Sequence, residues 1–274
     1  MKKKIGCLGP EASNSYEVAK AINYAGDELI PLSSFELIKS LKSGEIQKAI
    51  LPIENSIEGR VKWVFDFLAG NNLGLLSIIG EDIWKVRHCL IGFGKESEIK
   101  MVYSHPQALG QCRISMGSLD LKDADSTSAA VKFIAESQQK TLAAIGTRQA
   151  AERYKVPIIK EDIGDNPENQ TRFITIGKNI MQPTSNDKTS LIFGVKDETG
   201  ALYRVLEVFD VLHINMTMIN SEPSPSRKLG EYIFFVDVAN HPRLDTALDL
   251  IRERTSSLNV LGTYPKATIP VNAN

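Results

Sequence analysis

Short apolar runs alternate with stretches of helical period along most of this chain, which restricts it to an α/β architecture with parallel strands. Residues 5–8 read as a strand stopped by Gly9-Pro10, and a helical pattern follows at about 15–25. Ser34 stands where a helix carrying Leu37, Ile38 and Leu41 would be capped. Residues 49–53 form a buried strand, after which Ile57, Val61, Val64, Phe65 and Leu68 recur at helical spacing. Residues 75–79 and 89–93 add strands. A second unit places strands at 101–103 and 141–145, with helices after Pro106 and around 128–136. Past a polar loop at 162–170, residues 171–176 predict a strand returning to the first unit. Two lobes joined by crossing strands enclose a cleft.

At 274 residues the chain exceeds one ordinary domain. Residues 179–188 are polar with one proline and read as a linker. Beyond them come a strand at 190–195 and a helix bearing Leu202, Val205, Leu206, Phe209 and Leu212. Strands at 214–219 and 232–238, a helix at 244–254 and a strand at 258–262 complete a βαββαβ, ferredoxin-like order. The expected division is 1–178, with one lobe at about 1–80 plus 165–178 and the other at about 81–164. A linker at 179–188 and a module at 189–268 follow.

With 42% hydrophobic residues and a formal net charge of −1, the chain has core material but no overall field to recruit nucleic acid or a membrane surface. Cys7, Cys89 and Cys112 are scattered without metal-ligand spacing, which suits a reducing cytoplasm. The apolar run after Lys2-Lys3-Lys4 is too short for a signal peptide, and no stretch reaches the roughly 20 residues of a membrane span.

Four polar segments stand at the ends of expected strands. In Pro52-Ile53-Glu54-Asn55-Ser56, Asn55 or Ser56 can cap the next helix, and the same open amides can hold an anion. Ser104-His105-Pro106-Gln107 is a capping box with proline in the first turn; His105 is either a helix-start residue or an acid–base group, and Gln111 faces cleft or solvent. Ser126-Thr127-Ser128 opens another helix. In Asn169-Gln170-Thr171-Arg172-Phe173, Thr171 and Phe173 share one strand face while Arg172 shares the other with Ile174 and Ile176. An arginine there needs a carboxylate partner, either an internal Asp or Glu or one on a ligand.

Taken together in this order and spacing, these segments resemble the prephenate dehydratase family. The trailing module, with Gly200-Ala201-Leu202-Tyr203 and residues 230–236, resembles the amino-acid-binding ACT domain. The resemblance runs from Leu8-Gly9-Pro10 to residues 261–265. It implies an α/β protein with a two-lobed, periplasmic-binding-protein-like catalytic domain and a ferredoxin-like regulatory domain. It further implies conversion of prephenate, which carries two carboxylates and a ring hydroxyl, to phenylpyruvate without metal or other cofactor. Thr171 would stand at the departing hydroxyl, Glu54 or His105 would supply a proton, and Arg172 would hold a carboxylate. Ser13, Asn55, Ser56, Ser104, Gln111, Ser126, Thr127 and Phe173 would complete the substrate site. Gly200, Ala201 and Leu202 with Asn220, Ser221, Glu222 and Pro223 would bind L-phenylalanine at a subunit interface, implying a homodimer or homotetramer.

Two segments depart from the family pattern. Gly9-Pro10-Glu11-Ala12-Ser13-Asn14-Ser15 replaces the usual Gly-Pro-x-Gly-Thr-Phe-Ser, and Asn220-Ser221-Glu222-Pro223 replaces Glu-Ser-Arg-Pro. The first leaves arogenate dehydration or prephenate decarboxylation as rival chemistries; a two-lobed ligand sensor is the rival without chemistry. No helical domain precedes Met1, so chorismate mutase activity is not expected.

Overall fold

The computed structural model describes residues 2–267 apart from 12, 24, 71–72, 179–183, 185–186, 227 and 229. Most of the expected linker, Ala12 of the opening segment and the last residue of the 189–268 span therefore lie outside the described residues.

The first lobe runs β1 (Lys4–Leu8), α1 (Asn14–Ile22), β2 (Glu28–Leu32), α2 (Ser34–Ser43), β3 (Lys48–Asn55), β4 (Gly59–Arg60), α3 (Lys62–Ala69) and β5 (Ser77–Lys85). The second runs β6 (Cys89–Gly92), β7 (Met101–Ser104), α4 (Pro106–Gln111), α5 (Arg113–Met116), β8 (Asp120–Asp123), α6 (Thr127–Ser137), β9 (Leu142–Gly146), α7 (Arg148–Tyr154) and β10 (Ile158–Lys160). The chain then returns to the first lobe as β11 (Gln170–Gly177), inserted antiparallel between β3 and β5 in the order β2-β1-β3-β11-β5. The second sheet is ordered β10-β6-β9-β7-β8. Parallel pairing of β1 with β2 and β3, and of β7 with β8 and β9, gives both lobes their α/β character.

Local chemistry sets the boundaries. Ser33 and Glu36 close a capping box at the start of α2, and Gly44, at φ 81°, ends it in the left-handed conformation. The helical spacing from Ile57 is overridden. Asn55 Oδ1 accepts from the amides of Ile57 (2.9 Å) and Glu58 (3.0 Å), and the chain folds back as the β3–β4 hairpin. Helix α3 consequently begins only at Lys62. The sequence reading also passed over the edge strands β2, β8 and β10, whose exposed positions break the apolar signal, and the short helix α7.

The third unit comprises β12 (Asp187–Gly194), α8 (Ala201–Val211), β13 (Met216–Pro223), β14 (Tyr232–Ala239), α9 (Leu244–Arg254) and β15 (Ser257–Pro265). Its antiparallel sheet, ordered β13-β14-β12-β15, has the ferredoxin-like arrangement. Val205, Phe209, Ala247 and Ile251 from the two helices share a core with Leu191, Phe193 and Val236. Another set of its residues, Ile192, Phe235, Leu261 and Tyr264, joins Leu51, Phe65, Ile78 and Ile174 of the first lobe in one continuous core. Phe65 and Phe235 meet edge-on at 4.6 Å.

β15 passes close to β5 at Gly262, where a Cβ would lie 2.1 Å from the carbonyl oxygen of Ile78. Gly262→Ala must therefore separate β15 from β5. Chemical denaturation should show a loss of roughly 1–3 kcal/mol, the usual cost of overpacking.

Candidate active site

The two lobes are connected by adjacent crossing segments. Val86 donates its amide to the carbonyl of Asn169 (2.8 Å), and Ile163 to that of His88 (2.9 Å). Beside them lies a cleft of about 360 Å³. Ser13, Asn14, Asn55 and Thr171 line it from the first lobe, and His105, Gln111, Ser126 and Thr127 from the second, with His88 between. Among the described residues no lysine or arginine lines it. Helices α1 and α6 begin at its wall. Their caps, Ser13 and Ser126, accept from the amides of Tyr16 (3.2 Å) and Ala129 (3.0 Å). Ser13 also donates to the carbonyl of Leu8 (3.1 Å). A helix N-terminus carries unpaired amides and partial positive charge, so anion binding here does not require a basic side chain.

A chain of directional hydrogen bonds runs along the cleft wall. Because Asn55 Oδ1 accepts two backbone amides, its Nδ2 must be the donor end. Nδ2 reaches Asn169 Oδ1 (2.8 Å), the Gln170 carbonyl (3.1 Å) and Thr171 Oγ1 (3.0 Å). Asn169 is then fixed in turn, its Nδ2 donating to Gln111 Oε1 (3.0 Å), and Gln111 Nε2 donates to Glu58 (3.1 Å). His88 Nε2, 2.9 Å from Gln111 Oε1, must carry the ring proton. Burial lowers the pKa of His88, partly offset by the Gln111 bond, so the ring is neutral at pH 7. Thr171 Oγ1 accepts from Asn55 Nδ2, and its own hydrogen has no acceptor among the described residues.

A prephenate dehydratase family model matches residues 5–181, and an ACT domain model residues 189–255. The chain is 44% identical to the prephenate dehydratase of Methanocaldococcus jannaschii, across 79% of this chain and 80% of that one. The solved structure of prephenate dehydratase from Arthrobacter aurescens in complex with L-Phe superposes with a TM-score of 0.86 at 28% identity, over 96% of this chain and 90% of that one. GqqA, described as a novel type of quorum quenching acylase, superposes with a TM-score of 0.85 at 27% identity, over 97% of this chain and 98% of that one. The chain belongs to the prephenate dehydratase family.

Several residues expected in the dehydratase site lie elsewhere. Arg172 is on the face of β11 opposite Thr171. Its Nε lies 2.8 Å from Glu81, its Nη2 is 2.6 Å from Asp237, and Glu54 is 3.6 Å from Nη1. Lys188 meets Glu81 at 2.9 Å, Ser190 donates to Asp237 (2.5 Å), and the Tyr264 hydroxyl lies 3.2 Å from Arg172 Nη2. Burial alone would lower the Arg172 pKa, but Asp237, Tyr264, Glu81 and Glu54 outweigh it and hold the guanidinium charged. The partner left open by the sequence is thus internal. The expectation of a substrate carboxylate on Arg172 is corrected by geometry, since β11 aims it at the ACT sheet. Glu54 shares that orientation and is not among the cleft-lining groups.

Phe173 is core, packed with Ile5, Cys7 and Trp84. Ser104 is fully buried and donates to the Ile145 carbonyl (2.8 Å); Ser56 accepts from the amide of Gln170 (2.9 Å), steadying the crossing strand. His88, Glu58 and, as a network member, Asn169 are not evident from sequence motifs. Their signal was positional, because they sit in the turn and crossing segments that touch both lobes. Cys112, next to Gln111, is a buried thiol whose pKa is pushed up to about 12 by burial and by Asp165, which rules out a thiolate at neutral pH.

A larger cavity of about 570 Å³ shares Asn14 with the dehydratase cleft, but its cations have carboxylate partners, Arg87 with Asp162 (2.6 Å), Arg148 with Glu161 and Lys85 with Glu168 (3.5 Å). In the ACT domain, Gly200, Ala201 and Leu202 line a cavity of about 240 Å³ with Gly230 and Tyr232. Asn220, Ser221, Glu222 and Pro223 lie on the edge strand β13 and do not line it. Glu222 instead pairs with Arg60 on the hairpin that carries Asn55.

Arg172→Ala would strand Glu81 and Asp237 with only Lys188 for compensation. Urea unfolding should report a loss of about 3–5 kcal/mol, as for other broken buried ion pairs. An unchanged midpoint with a raised KM would instead restore Arg172 to substrate binding.

Proposed function

We propose that the interlobe cleft is where this enzyme converts prephenate to phenylpyruvate, carbon dioxide and water. The observation that carries the reading is Thr171 Oγ1 on the cleft wall, which accepts from Asn55 Nδ2 while its own hydrogen has no acceptor among the described residues. The bond from C1 to its carboxylate breaks, its electron pair enters the ring, and aromatisation expels the C4 hydroxide, which a proton converts to water. Thr171 donates to that departing oxygen. Of the two candidate proton sources, Glu54 and His105, only His105 lines the cleft; its Nδ1 accepts from the Gln107 amide (3.3 Å), placing its proton on Nε2. The carboxylates fall to the N-termini of α1 and α6, one from each lobe, with Ser13, Asn14, Ser126 and Thr127 around them.

The GqqA likeness shows why fold alone does not decide the activity. Phenylpyruvate detected by NMR on incubation with prephenate supports the dehydratase reading, and a decarboxylated product keeping its hydroxyl would replace it. Thr171→Ala should lower kcat about 10²–10³-fold, the range for removing a donor to developing negative charge.

The ACT domain and the L-Phe complex of the Arthrobacter relative support a small-molecule effector, L-phenylalanine, at the Gly200–Leu202 cavity. Isothermal titration should detect its binding; absence of heat with active enzyme would remove it. The division proposed is a catalytic domain at 1–178, a linker at 179–188 and a regulatory domain at 189–268, in a cytoplasmic homodimer or homotetramer. Among the described residues no helix is long and apolar enough to cross a membrane.

A further inference from the structure

Buried polar atoms without partners point to what a site receives. His88 is only 3% exposed and is one of the residues around the cleft; its Nδ1 is itself buried and has no hydrogen-bond partner among the described residues. The rest of the ring is accounted for. Nε2 is committed to Gln111, and Cδ2 lies toward Gly164 on the opposite ring edge from Nδ1. A buried acceptor left unsatisfied costs stability, so such an atom in a cleft wall calls for a donor on the occupant.

The directional chain decides what kind of atom this is. Starting from the backbone amides of Ile57 and Glu58, each carboxamide fixes the next, through Asn55, Asn169 and Gln111, until His88 must hold its proton on Nε2. Nδ1 is therefore a lone pair and can only accept. Prephenate at neutral pH is a dianion whose two carboxylates and ketone are all acceptors; its single hydrogen-bond donor is the ring hydroxyl. Resting on the dehydratase reading, we infer that His88 is a substrate-contacting residue whose Nδ1 accepts the hydrogen of the departing hydroxyl. Thr171 donates to the same oxygen. The hydroxyl is thus held between one acceptor and one donor belonging to a single network, and its lone pair is turned toward Thr171 before the C–O bond breaks.

The pairing also gives the cleft a selection rule. A ligand with two carboxylates but no hydroxyl would press an acceptor against the Nδ1 lone pair or leave it dry, and either outcome penalises binding.

The test is steady-state kinetics with prephenate for wild type, His88→Gln and His88→Asn. Glutamine keeps a donor near Nε2 for Gln111 but has no acceptor in place of Nδ1; asparagine offers an acceptor there and loses the far donor. His88→Gln should lose about tenfold or more in kcat/KM with its thermal midpoint retained, the scale of one lost hydrogen bond. His88→Asn should retain more activity than His88→Gln. A folded His88→Gln matching wild type would overturn the inference and leave the dehydratase reading standing. A wild type that forms no phenylpyruvate would overturn both. If His88→Gln does not fold, ¹⁵N NMR of histidine-labelled Thr171→Ala protein decides. Addition of prephenate should move the His88 Nδ1 resonance toward a hydrogen-bonded acceptor, and an unmoved resonance would overturn the assignment.

Discussion

The acceptance of two backbone amides by Asn55 Oδ1 orders the rest of the active site. Backbone amides cannot change role, so that one carboxamide has one orientation, and every side chain bonded onward inherits its own. The same two bonds fold residues 55–60 into a hairpin and delay α3 to Lys62. Local turn chemistry therefore shapes the cleft rim and sets the donor that Thr171 Oγ1 accepts.

Strand β11 carries this arrangement to the ACT domain. Alternation along a strand sends Thr171 to the cleft and Arg172 to the opposite side, where Glu81 belongs to β5 and Asp237, Lys188 and Tyr264 belong to the ACT sheet. A second bridge, Arg60 to Glu222, joins β13 to the hairpin holding Asn55. The continuous core through Phe65, Phe235 and Tyr264 makes the two domains one packed body in this conformation.

The sheets, the crossing strand and the βαββαβ order were legible because their apolar runs are long and flanked by clear breakers. Edge strands such as β8, reading Asp-Leu-Lys-Asp, carry no such signal. The cleft position of Asn55, Gln111, Ser126 and Thr171 followed from motif order. The direction of Arg172 did not, since period-two alternation names two faces without saying which one meets a ligand. Glu54, beside Arg172 across the β3–β11 pair, approaches that arginine at 3.6 Å. His88 and Asn169 became visible only when the crossing segments were brought side by side.

On the proposed mechanism the Asn55 donor leaves the Thr171 hydrogen for the departing hydroxyl. Asn55→Asp keeps the acceptor for Ile57 and Glu58 but removes the donor, so Thr171 would turn its hydrogen to the new carboxylate. Turnover of prephenate by this near-isosteric variant is the most direct measurement. Its kcat should fall about 10²-fold or more in a protein that still folds. Turnover close to wild type would contradict it, because the network would then have no part in presenting that hydrogen.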